Sequence, residues 1–227
     1  MKKHVVAAAA AVAVAGGAGS ALAADLYIEA PADPVAISEP GDWYVSLFGG
    51  GAWVNEINTA WRDEPGYGYD IWLEPGFALG VTVGTKVFDM LRIEGELSGT
   101  LSQVSEIYEE YDDEYSDLPG SISALYLLGN VWFDVDTGSG FTPYIGGGVG
   151  AAAVALSLYD GNWETDGTGF AYQLGAGVQV DVADNITLDL GYRYKAVPDL
   201  TLNNSNDDWQ NFDLSTHVFQ AGLAFNF

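Results

Sequence analysis

The chain contains no cysteine, so neither a disulfide nor a lipid attached through a cysteine holds or anchors it. Charged residues are scarce at 17% of the chain, and positive ones scarcest, with 7 lysines and arginines against 32 aspartates and glutamates. That balance excludes nucleic acid as a partner, because binding to phosphate backbones needs clustered cations. Histidine is limited to His4 and His217. Catalytic triads, metal-ligand spacings and phosphate loops have no counterpart in the pattern, so no cofactor is expected. A helical transmembrane run is also missing. The longest uncharged stretch, 137–159, contains Pro143, Gly146, Gly147, Gly148 and Gly150, and each glycine costs a helix about 1 kcal/mol. A glycine-rich strand suits it better, with small residues where a narrow wall is crowded.

What is present begins with Lys2 and Lys3, an apolar run from Val5 to Ala15, and Ala21-Leu22-Ala23. This is the layout of a secretory signal peptide over 1–23. Residues 24–41 carry Pro31, Pro34 and Pro40 without alternation and read as an acidic periplasmic arm. From 42 to 227 a two-residue periodicity recurs. It is clearest where Ile186, Leu188, Leu190, Tyr192 and Tyr194 oppose Thr187, Asp189, Gly191, Arg193 and Lys195. Leu91, Ile93, Gly95 and Leu97 oppose Arg92, Glu94, Glu96 and Ser98 in the same way.

Eight such segments are expected, at about 42–54, 77–86, 91–102, 119–134, 141–157, 170–181, 186–195 and 214–227. The fourth and fifth are apolar on both faces in places, which leaves their register open. Short turns at 88–90, 135–140 and 183–185 alternate with longer connections at 55–70, 103–118, 159–167 and 198–213. Short periplasmic turns and long external loops are the pattern of an eight-stranded antiparallel up-and-down transmembrane β-barrel. A soluble exported barrel has no reason to sort its loops so. Aromatic girdles are expected at Trp43, Phe88, Trp132, Phe141 and Phe225 on one side, and at Trp53, Trp72, Tyr159, Phe170 and Tyr194 on the other.

The final octapeptide, QAGLAFNF, places Gln220, Gly222, Phe225 and Phe227 as in the C-terminal insertion signal of bacterial outer-membrane barrels. Together with DWYVSLFGGGAWV, FTPYIGGGVGAAA and LDLGYRYK, it makes 42–227 resemble the small eight-stranded OmpA-like barrels of the surface-antigen, porin-like type. The resemblance implies the outer membrane of a Gram-negative bacterium, with its lipids, lipopolysaccharide and barrel-assembly machinery as partners. It implies a structural or surface role, in envelope integrity or adhesion, and no assigned reaction. The peptidoglycan-binding domain of longer relatives is not expected.

Of the five basic residues beyond the signal peptide, Lys86, Arg92, Arg193 and Lys195 fall on inward faces, as do Glu94, Glu96, Asp181 and Asp189. A base facing lipid would cost about 2–4 kcal/mol at mid-depth, and buried bases need acidic partners. A luminal ion-pair network closing the barrel is therefore expected, with Glu94 or Glu96 reaching Arg193 across the axis. A narrow porin-like channel for small solutes is the alternative. The external connections carry 18 acids against Arg62. The densest holds Glu106, Glu109, Glu110, Asp112, Asp113, Glu114 and Asp117 among tyrosines, a surface suited to divalent cations or to plain solvation. Ser215 and His217 resemble the pair of barrel enzymes that modify lipid A, but with the serine before the histidine rather than after it.

Overall fold

The computed structural model describes residues 43–55, 57–61, 68–109, 114–116, 119–158, 163–203 and 209–227. The expected signal peptide and arm lie outside them. Among these described residues eleven strands occur: β1 (Trp43–Val54), β2 (Ile57–Trp61), β3 (Gly68–Leu73), β4 (Gly76–Phe88), β5 (Leu91–Glu109), β6 (Glu114–Ser116), β7 (Gly120–Asp134), β8 (Phe141–Leu158), β9 (Trp163–Ala183), β10 (Ile186–Asn203) and β11 (Trp209–Asn226). Eight of them form one antiparallel ring in the order β1-β4-β5-β7-β8-β9-β10-β11, and the β1–β11 ladder from Tyr44↔Asn226 to Val54↔Thr216 closes it. Closure leaves no open edge, which is what a strand in hydrocarbon requires. At the short-turn end Phe227 N donates to Trp43 O at 2.9 Å, so the ladder runs to the last residue.

All eight expected strands are found, but the long connections are shorter than the sequence suggested. A strand needs about 9–11 residues to cross the bilayer. Here β5, β8, β9, β10 and β11 run for 19, 18, 21, 18 and 18 residues. The barrel therefore continues beyond the membrane. Its outer wall is completed by the β2–β3 hairpin, which takes over from β1 and β4 and pairs with β11 and β5.

The alternation of side chains continues too, with its polarity reversed. At membrane level Leu79, Leu97, Leu127, Leu174 and Leu223 face out, while Thr82, Glu96, Asn130, Gln173 and Lys195 are buried inside. Beyond it, Val104, Ile122, Leu156, Leu200, Leu202 and Leu214 turn inward into one apolar cluster. Gln103, Ser105, Glu164, Asp166 and Asp213 are exposed there instead. The outer section is thus built as a water-soluble barrel, with its core inside. A bulge between Val197 and Leu200 interrupts β10. Asp199 occupies its left-handed position (φ 49°), and its N–H is held by Asp213 Oδ1 at 2.9 Å.

A narrow ring crowds its inner wall, and the glycines of β8 show by how much. A Cβ added at Gly150 would stand 2.0 Å from Leu127 O and 2.9 Å from Leu128 Cα. One added at the outward Gly99 would meet only Ala124 O, at 3.6 Å. Gly150→Ala is accordingly expected to destabilise the barrel by about 1–3 kcal/mol. Gly99→Ala should be neutral or stabilising by up to about 1 kcal/mol. Urea unfolding of the refolded protein in micelles, followed by tryptophan fluorescence, measures both.

Candidate functional sites in the lumen and on the outer wall

The inward positions nearest the short turns form a continuous polar network. Arg92, from β5, is almost fully buried and donates through Nε to Asp134 Oδ2 at 2.6 Å and through Nη1 to Glu94 Oε1 at 3.3 Å. Glu94 also accepts from Tyr44 OH and from Trp132 Nε1, both at 2.5 Å. One turn of the wall further out, Lys195 Nζ is bonded to Glu96 Oε1 and donates to Ser98 Oγ at 2.8 Å. The other oxygen of Glu96 accepts from Asn130 at 2.9 Å and from Gln173 at 2.6 Å. Four hydrogen bonds satisfy one carboxylate, counting that from Ser98 Oγ at 2.7 Å. A buried ion pair is tolerable only when its remaining lone pairs are met in this way.

Among the described residues Arg193 meets no carboxylate directly, contrary to the expected contact with Glu94 or Glu96. Its Nη2 donates to Tyr144 OH at 2.8 Å, and that hydroxyl donates onward to Asp189 Oδ1 at 2.9 Å. Its guanidinium lies over the Trp132 ring, 4.2 Å from the centroid, and 5.2 Å from that of Tyr144. Desolvated cations gain from such ring faces. Two further assignments need correction. Lys86 keeps the inward register, opposite Arg92, but stands at the end of the ladder beside the turn and is exposed at the mouth, outside the network. Asp181 is exposed on the rim beside the β9–β10 turn, where it accepts from Thr187 Oγ1 at 3.0 Å.

Tyr44, Asp134, Asn130, Tyr144, Gln173 and Trp132 belong to the network without having been expected in it. Trp132 is fully buried, not a girdle residue. Its strand is apolar on both faces, so periodicity alone did not say that the even-numbered row of β7 points inward. Asp134, at the end of that same row, carried the missing signal: a carboxylate cannot face lipid there without cost.

On the outer wall seven rings touch in sequence across four strands. Phe170 meets Tyr172, Tyr172 meets Tyr194, Tyr194 meets His217, His217 meets Tyr192, Tyr192 meets Phe219, and Phe219 meets Trp53, with centroids 5.1–6.5 Å apart. They sit where outward residues change from apolar to polar, as an interfacial girdle does. His217 Nδ1 shares a hydrogen bond with Tyr192 OH at 2.7 Å, whereas Ser215 Oγ accepts from Asn55 Nδ2 at 2.7 Å. Histidine and serine are therefore engaged separately and form no nucleophile–base pair.

The insertion-signal residues lie in the closing ladder. Phe225 and Phe227 are exposed on the lipid-facing row, and Gly222 lies inside, where a Cβ would stand 2.9 Å from Leu47 O. Of the acidic surface segment, Glu106, Glu109 and Glu114 fall in β5 and β6, with Glu109↔Glu114 in register. Glu110, Asp112, Asp113 and Asp117 lie outside the described residues.

A family model described as outer membrane protein beta-barrel domain matches residues 7–227. An uncharacterized protein of Brucella suis is 28% identical over 220 residues, covering 78% of this chain and 76% of its own. The outer membrane protein PagN of Salmonella typhimurium is 26% identical over 174 residues, covering 66% and 73%. Among solved structures, Neisserial surface protein A aligns with a TM-score of 0.51 at 18% identity over 82% of this chain and 97% of its own, which shows a shared fold.

The paired geometry of Glu96 and Lys195 sets a clear expectation. Glu96→Gln and Lys195→Met should each cost about 3–5 kcal/mol, because each strands a buried charge. The double variant should cost distinctly less than the sum of the two. A double-mutant cycle from urea unfolding in micelles reads the coupling.

Proposed function

The chain belongs to the outer membrane protein beta-barrel domain family and lies in the outer membrane of a Gram-negative bacterium, and we propose that it is a non-catalytic surface protein with a closed lumen. Its working part, on this reading, is the strand-built rim that stands above the bilayer, which serves adhesion or envelope integrity. The observation that carries the proposal is the apolar cluster inside the outer section. Among the described residues Ile122, Leu156, Leu200, Leu202, Phe212 and Leu214 are buried together inside that section, on the route along the axis. Below it, the bonded side chains of Arg92, Glu96, Lys195 and Gln173 occupy the membrane-level lumen. An aqueous path needs a continuous polar surface, and an eight-stranded ring leaves an interior that side chains nearly fill.

Length in the outer strands supports the same reading. Strands that merely crossed the bilayer could end near the girdle, whereas β9 extends outward to Trp163 and carries Glu164 and Asp166 exposed on the way. An acidic, water-facing wall of this kind is a surface on which a partner could dock. Acid-rich loops favour a basic partner surface or divalent cations, including those that bridge lipopolysaccharide phosphates. The separate engagement of Ser215 and His217 supports a role without lipid A chemistry.

Planar-bilayer recording of the refolded protein is expected to show no large steady conductance. A stable open state in most insertions would end the closed-lumen reading. For the surface role, cells carrying a variant with residues 110–113 replaced by Gly-Ser should keep normal barrel levels and lose binding to basic protein-coated or host-cell surfaces. Undiminished binding would refute a role for that loop.

A further inference from the structure

Charge inside the barrel does not balance. Among the described residues the membrane-level lumen holds three cationic side chains, Arg92, Arg193 and Lys195, and four carboxylates, Glu94, Glu96, Asp134 and Asp189. Lys195 is taken by Glu96, and Arg92 is shared between Glu94 and Asp134. Arg193 reaches Asp189 only through the Tyr144 hydroxyl. One negative charge therefore lacks a counter-charge in a low-dielectric interior, where an uncompensated charge is far costlier than in water.

The deficit has a location. A cavity of about 20 Å³ lies near the short-turn end of the lumen, bordered by Ser46, Thr82, Glu94, Gln179, Asp189 and Gln220. Thr82 is only 6% exposed and its Oγ1 has no hydrogen-bond partner, and Gln220 Oε1 has none either. Thr82 and Glu94 come from β4 and β5, while Gln179, Asp189 and Gln220 come from β9, β10 and β11. Arg193 also borders the space, but its guanidinium is held by Tyr144 OH, by Tyr192 O at 3.1 Å, and by the Trp132 ring. Carboxylate, hydroxyl and amide oxygens are the donors that hard cations take. The volume suits one water or one bare small ion. A water would satisfy the oxygens and leave the charge; a divalent ion would overshoot it.

We propose that this cavity binds one small alkali cation of the sodium class, which completes the luminal charge balance and ties the β4–β5 wall to the β9–β11 wall. The site needs no opening of the outer core, since the cavity lies towards the periplasmic mouth. The proposal is independent of whether the lumen conducts, so conductance and cation binding can fail separately.

The test is the melting temperature of the full chain, refolded in micelles, in NaCl against choline chloride at equal ionic strength, choline being too large for the cavity. Sodium is expected to raise it saturably by roughly 2–4 °C. Asp189→Asn should abolish the difference and Lys86→Gln, altered at the exposed mouth, should keep it. If Asp189→Asn does not fold, Thr82→Val is expected to lose most of the sodium effect. Equal melting in both salts for the unaltered protein would overturn the proposal and assign the missing charge to a proton. A sodium effect that survives both Asp189→Asn and Thr82→Val would overturn it as well.

Discussion

Backbone polar groups in hydrocarbon have no water to turn to, and everything else in this protein follows from satisfying them. The β1–β11 ladder joins the two ends of the described chain and leaves no strand edge open in the ring. Eight strands closed in this way make a narrow tube. Narrowness explains the glycines of β8, where a Cβ at Gly148 would stand 1.9 Å from Asn130 Oδ1. It also explains why large inward side chains such as Trp132, Tyr144 and Arg193 pack against one another.

With lipid outside, the tube can place polar groups only inside. Arg92, Arg193 and Lys195 are therefore concentrated there, each held by geometry that a solvated charge would not need. Glu96 is met from four strands, by Ser98, Asn130, Gln173 and Lys195, so that a single carboxylate fixes the relative heights of β5, β7, β9 and β10. Tyr44 and Tyr144 play matching parts. Each hydroxyl accepts from an arginine and donates to a carboxylate, Arg92 and Glu94 in one case, Arg193 and Asp189 in the other. Such bonds specify register in strands whose outward faces, being uniformly apolar, specify little.

Above the girdle the solvent changes and the same strands obey the opposite rule. Outward positions become acidic or hydroxylic, and inward ones become leucine, isoleucine and valine. The change happens within single strands: on β5 between Leu101 and Gln103, on β9 between Phe170 and Thr168. One continuous wall thus joins a membrane barrel to a soluble-type barrel with its own packed apolar core.

Strand number, direction, the two ends on one side, and the outward rows of β5, β10 and β11 were legible in the sequence, because alternation between unlike faces leaves a period of two in the residues themselves. The same rule hid the outer section. Its inward leucines and outward acids alternate as regularly, but an acid-rich stretch with reversed polarity reads as a loop when lipid is assumed outside. Lys86 and Asp181 keep the inward register, opposite Arg92 and Thr187, but lie so near the turns that they are exposed outside the network, a depth that alternation does not report, and Trp132 was misplaced where both faces are apolar. The sequence by itself determined that Arg92, Arg193 and Lys195 lie inside, since lipid penalises them on the outward face at that depth. Only the closed ring decided which carboxylate each one meets, because partners such as Glu96 and Lys195 stand 99 residues apart and are brought together by barrel stagger, a property of pairing that no single strand contains.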